Sequence, residues 1–98
     1  MNMQQLMQQA QKMQREITKK KEVLDATIFS GKSEWIELEF NGKKELKSFK
    51  ITKEGAIDED DKEVFEDMIN IAIKDAFKKI DEATEREMGQ YASMSGLM

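Results

Sequence analysis

Hydrophobic side chains recur along this chain in three different rhythms. In the first, Met3, Leu6, Ala10, Met13, Ile17 and Leu24 fall at alternating steps of three and four, with Lys20 the single break. That spacing predicts one helix over residues 2–24. Its apolar seam spans less than a quarter of the circumference, the stripe of a coiled coil and not the broad face of a helix lying on a sheet. At 1.5 Å per residue the helix is roughly 35 Å long, about the diameter of a compact domain of this size. It is expected to project, with a seam that needs a partner. Methionines in that seam pack adaptably, and ordinary helix–helix packing is favoured over a groove for varied peptides.

In the second rhythm, Ile36, Leu38 and Phe40 alternate with Glu37 and Glu39, the two-residue period of a strand with one buried face. Asn41-Gly42 follows as a hairpin signal, with positive φ expected at the glycine. On the return limb, Leu46 is in phase through a three-residue loop, whereas Phe49 and Ile51 fall one residue out. Either the loop is longer or a bulge sits near Lys47-Ser48. Residues 26–30, ATIFS, form a further strand candidate joined through Gly31-Lys32-Ser33. Residues 26–52 therefore predict a three-stranded antiparallel meander.

The third rhythm predicts a second helix over residues 61–88. Its apolar positions, Val64 to Ile80, cover roughly two-thirds of the circumference, more than one three-stranded sheet can bury. The excess points to a dimer interface at Ile69, Ala72, Ile73, Ala76 and Phe77, where the small Ala72 and Ala76 allow close approach. The alternative is that the first helix of the same chain wraps the second. The acidic run Asp58-Glu59-Asp60-Asp61 is not an EF-hand loop, because Lys62 and Glu63 occupy its fifth and sixth positions. It is read as a helix start, with Asp60 as N-cap and Glu63 as capping-box partner. Gly89 is expected to end the helix and leave a flexible tail over 89–98.

Composition narrows the function. Ninety-eight residues make one domain, 1–98, and only 21 of them are Leu, Ile, Val or Phe, so a lone core is thin and a homodimer is attractive. There is no cysteine and no histidine, which removes disulfides, thiol chemistry, Ser–His and Cys–His nucleophiles and the usual zinc ligands. The five glycines are scattered, and no phosphate-cradling loop can be built from them. An enzyme is not expected, nor a metal, a cofactor or a small-molecule substrate. No apolar run approaches the roughly 20 residues of a membrane span, and the glutamine-rich start lacks a signal-peptide block. A cytoplasmic protein is the expectation.

Charge points to a binding role. Residues 1–24 carry +3, residues 25–57 balance, and residues 58–98 carry −7. On the first helix Lys12, Arg15 and Lys19 stack at i, i+3 and i+7 opposite the apolar seam, while Lys20 and Lys21 flank it. An exposed row of this kind is what phosphate neutralisation requires, although a solvated helix face has the same composition.

The residues also carry a family resemblance: LMQQAQKMQREI in the first helix, FNG at the hairpin, ELKSFKI on the return limb, and EDDKEVFEDMINIAIKDAFKKIDE in the second helix. In this combination the chain resembles the YbaB/EbfC family of bacterial nucleoid-associated proteins. The resemblance implies an α+β fold, an α-β-β-β-α subunit with two long helices, in an intertwined homodimer whose helices project like tweezer arms. It also implies double-stranded DNA as partner, bound weakly and with little sequence preference in the nucleoid. The alternative is an acidic dimeric adaptor that binds another protein through its helical arms.

Overall fold

The structure, a computed structural model, describes the backbone of residues 2–95 and the side chains of residues 2–91. The order is α1 (Met3–Ala26), β1 (Ile28–Lys32), β2 (Ile36–Asn41), β3 (Leu46–Ile51), a 3-10 turn (Glu59–Asp61) and α2 (Lys62–Ser95). This is the α-β-β-β-α order of a mixed α+β fold. The molecule is a rod, 71 × 19 × 14 Å.

The three strands form an antiparallel meander in the order β1-β2-β3. Strand β2 pairs with β3 in a register that sets Ile36 opposite Ile51, Leu38 opposite Phe49 and Phe40 opposite Leu46, with a shift between Glu39 and Phe40. Lys47 is the extra residue. A bulge there returns Phe49 and Ile51 to the face of Leu38 and Ile36, which resolves the phase break read from the sequence. The opposite face of the sheet is polar: Glu37 and Glu39 stand beside Lys32, Ser30, Lys50 and Ser48.

The hairpin corrects one expectation. Gly42 does not have positive φ; Lys44 does, at 64°. The amide of Asn41 donates to the Glu45 carbonyl at 3.0 Å and the Lys44 amide to the Asn41 carbonyl at 3.0 Å, so Gly42-Lys43-Lys44 is a three-residue loop. Such loops place their left-handed residue last, not first. Gly42 is needed for a different reason. Its amide donates to the Asp25 carbonyl at 3.2 Å, and a Cβ on Gly42 would collide with the Leu24 carbonyl at the end of α1.

Helix α2 lies across β1 and β2. Ile36, Leu38, Phe40, Ala72, Ala76 and Ile80 make the core, with Phe29, Phe65, Met68, Ile69, Ile73 and Phe77 packed around it. Each of the large aliphatic side chains contributes about 1.5–3 kcal/mol by leaving water. Phe40 and Phe77 meet edge to face, centroids 4.9 Å apart. Ala72 and Ala76 are fully buried within the subunit. The close approach their size permits is made by β1, where a Cβ on Gly31 would strike the Ala72 carbonyl and lie 2.7 Å from the Ala76 Cβ.

Both ends of α2 differ from expectation. The N-cap is Asp58, two residues before Asp60, and its capping-box partner is Asp61, not Glu63. The acidic run adds a 3-10 turn ahead of the α-helix, which moves the cap upstream. At the other end the helix does not stop at Gly89 but continues to Ser95; residues 96–98 of the expected tail lie outside the described residues. A mid-helix glycine costs about 1 kcal/mol against alanine. Packing offsets that cost, because Ala83, Met88 and Tyr91 form a second cluster with Leu24, against which Ile17 and Phe29 also pack.

Candidate nucleic-acid interface

Helix α1 starts at the Asn2 cap, whose Oδ1 accepts from the Gln5 amide at 2.9 Å, and it ends where the Thr27 hydroxyl donates to the Val23 carbonyl at 2.6 Å. Only its inner half is packed. Ile17, Lys20, Leu24 and Asp25 are buried or half-buried, and residues 2–16 are all exposed. The inner contact runs along α2 of the same chain, the alternative weighed above for the first helix.

The five basic positions singled out on this helix fall into two groups. Lys12, Arg15 and Lys19 are exposed, and among the described residues none has an ion pair. They lie on the side away from the seam that meets α2, so their charges are available to a phosphate backbone. Lys20 and Lys21 have partners within the chain. The Lys20 ammonium sits 5.4 Å from the centroid of the Tyr91 ring. Lys21 pairs with Asp25 at 3.2 Å, an exposed i, i+4 pair of small energetic value.

The remaining cations are mostly tied into the body. Lys44 pairs with Asp81 at 3.0 Å and lies 5.0 Å from the Phe77 ring centroid. Lys79 donates to the Ser30 carbonyl at 2.8 Å and pairs with Asp75 at 3.5 Å, while the Asp75 carboxylate accepts from the Lys32 amide at 3.0 Å. Lys53 covers the Trp35 ring at 5.2 Å. On the hairpin, Lys50 stands opposite Glu37, and Lys43 and Lys47 lie near Glu45. The Glu45 carboxyl is held below its ordinary 4.5, first by the hydrogen bond from Asn41 and then by Lys47 and Lys43. The Asn41 Nδ2 donates to it at 2.7 Å.

The sequence missed these aromatic and carbonyl contacts of lysine because they join residues 18 to 71 positions apart. No spacing rule marks them. Among the described residues there is no group of three or more carboxylates placed to hold a metal, and no helix is long and apolar enough to cross a membrane. The predicted interface positions on α2 are placed differently from the basic row. Ile69, Ile73 and Phe77 are half-buried at the edge of the core, and Ala72 and Ala76 lie beneath them with no exposed surface.

The chain matches the model of the YbaB/EbfC DNA-binding family over residues 1–95. It is 45% identical over 94 residues to a nucleoid-associated protein of Streptococcus equi subsp. zooepidemicus (strain H70), covering 94% of each chain. It is 40% identical over 93 residues to nucleoid-associated protein LL0120 of Lactococcus lactis subsp. lactis (strain IL1403), covering 93% of each. With a nucleoid-associated protein of Ligilactobacillus salivarius (strain UCC118) the identity is 38% over 94 residues, 94% of this chain and 89% of the relative. An exposed, unpaired basic row on a projecting helix and a match along nearly the whole chain lead to one conclusion: this protein belongs to the YbaB/EbfC DNA-binding family.

Proposed function

We propose that the protein is a homodimeric, nucleoid-associated protein that binds duplex DNA weakly and with little sequence preference through the outward face of α1. The observation that carries this reading is the row Lys12, Arg15 and Lys19, exposed, opposite the apolar seam of α1 and, among the described residues, without ion pairs. The acidic second helix, within a segment of −7, keeps phosphates off most of the body. Contacts to phosphate carry no base information, so selectivity among sequences is small.

The dimer rests on a separate observation. Leu46, Phe49 and Ile51 are 54%, 43% and 52% exposed, although they stand on the same face of the sheet as the buried Phe40, Leu38 and Ile36. Helix α2 covers β1 and β2 and leaves β3 bare. Val64 and Ile71, one heptad apart on α2, are 41% and 50% exposed. A second copy that covers β3 also completes the burial of Ile69, Ile73 and Phe77, with Ala72 and Ala76 supporting them from within.

Fluorescence anisotropy with a labelled random duplex tests the DNA reading. If a dimer neutralises about four phosphates, affinity falls on the order of 100-fold between about 50 and 200 mM salt, alike for unrelated sequences. No binding at low salt instead supports an acidic adaptor that recruits another protein.

A further inference from the structure

The outer end of α1 presents a surface of a different kind from the basic row beside it. Residues 2–11 contain no charged side chain, in a chain of which 37% of residues are charged. Along this end Met3 is 74% exposed, Leu6 48% and Met13 37%. These residues continue the helix face with which Ile17 and Leu24 join the cluster on α2, so an established helix–helix contact runs out onto an uncovered seam. Gln9 and Gln14 line its flanks, and Gln4 and Gln8 lie on the opposite side of the helix.

We propose that this tip recognises a second copy of itself, as an antiparallel helix pair over residues 3–13. The seam is self-complementary in that arrangement. When Met3 faces Met13 of the second copy, Leu6 faces its Ala10, and each seam position meets a seam position. Lys12 then lies beside a glutamine, and Arg15 and Lys19 fall beyond the overlap, so like charges do not confront one another. An oppositely charged partner finds nothing to recognise on a neutral surface, whereas a second tip finds matching apolar positions and flanking amides.

The overlap is short, about 16 Å for eleven residues. A contact of that size falls below the roughly 1,200 Å² of a stable interface, so it is weak alone and acts when copies are concentrated or held side by side. It is apolar, so salt that weakens phosphate contacts leaves it in place. Combined with the β3-face dimer, tip pairing joins dimers into an open chain and gives the protein a means to bridge separate duplexes. The contact itself does not depend on the DNA reading.

Sedimentation without DNA, from low micromolar to near-millimolar protein and at low and high salt, tests it. The wild-type average mass rises with concentration, equally at both salts. Leu6→Glu shifts that rise to at least roughly tenfold higher concentration, because it places a carboxylate in the seam. Gln8→Glu adds the same charge on the opposite side of the helix and behaves as wild type. Leu6 is exposed, so circular dichroism and melting are the same for all three. A Leu6→Glu mass profile identical to wild type, a Gln8→Glu profile as impaired as Leu6→Glu, or a wild type whose mass does not rise overturns the proposal. Failure of the β3-face dimer reads differently: it changes the smallest species and leaves the sensitivity to Leu6→Glu intact.

Discussion

The Lys20 ammonium lies over the Tyr91 ring, 5.4 Å from its centroid, and ties the middle of α1 to the last turns of α2. Lys20 is the one residue that breaks the apolar spacing of the first helix. A long side chain can fill a seam position with its methylenes and place its charge on an aromatic face, so the break belongs to the packing. Its neighbour Lys19 points outward. The two adjacent lysines are expected to separate function from stability. Lys20→Ala lowers stability by about 0.5–1 kcal/mol and weakens DNA binding little. Lys19→Ala does the reverse. Urea melts and anisotropy on the two variants decide it, and the opposite pattern refutes the assignment.

Reversal of Lys12, Arg15 and Lys19 to Glu is expected to abolish binding to duplex DNA while the dimer and its melting temperature stay nearly unchanged. These positions are exposed, and among the described residues none has an ion pair. A triple variant that binds a labelled random duplex like the wild type places the DNA site elsewhere.

Two hairpin substitutions distinguish close packing from backbone strain. Gly42→Val is expected to destabilise the fold by about 1–3 kcal/mol through collision with the end of α1, and Gly42→Ala also destabilises despite an ordinary φ. At Lys44, Gly and Ala variants both lose the contacts to Asp81 and Phe77, so their difference isolates the left-handed backbone. Lys44→Gly should exceed Lys44→Ala by about 1 kcal/mol. Equal stabilities in chemical denaturation would argue against the loop.

Glu45 gives the hairpin a pH dependence of known sign. Its carboxyl is lowered in the folded state, first by Asn41, so it binds a proton less readily there than in the unfolded chain. Its contribution is fully present above the ordinary value of 4.5 and is lost as pH falls through the lowered folded value. Wild type minus Asn41→Ala stability is therefore larger at neutral pH than in acid below the carboxylate range. Asn41 also accepts the Lys43 and Glu45 amides at 2.9 and 3.0 Å, so a pH-independent loss accompanies the change. A constant difference across the range contradicts the linkage.

For the proposed dimer, Phe49→Ser is expected to yield a folded monomer, since Phe49 is 43% exposed within one subunit. Ala72→Phe should instead unfold the subunit itself by overpacking β1 against α2, at a cost of about 1–3 kcal/mol or more. Sedimentation paired with circular dichroism separates loss of association from loss of fold. A Phe49→Ser dimer as tight as the wild type rules out the β3 face.

The two-residue period of Ile36 to Phe40, the helical seams and the Asn41-Gly42 turn determined the order of elements from the sequence alone, because periodicity and turn chemistry act between near neighbours. The basic row was legible for the same reason: three residues on one helix face share that face whatever surrounds them. Tertiary structure decided what lay between elements. It assigned Ala72 and Ala76 to a contact with Gly31 inside the subunit, whereas a wide apolar arc on a helical wheel does not say which surface covers it. It gave Gly42 its reason in the Leu24 carbonyl and moved the positive φ to Lys44. It carried α2 through Gly89, where the packing of Met88 and Tyr91 on α1 outweighs a local preference to stop. It also set Lys20 over the Tyr91 ring, because the long-range partners of a lysine are set by what folds against it.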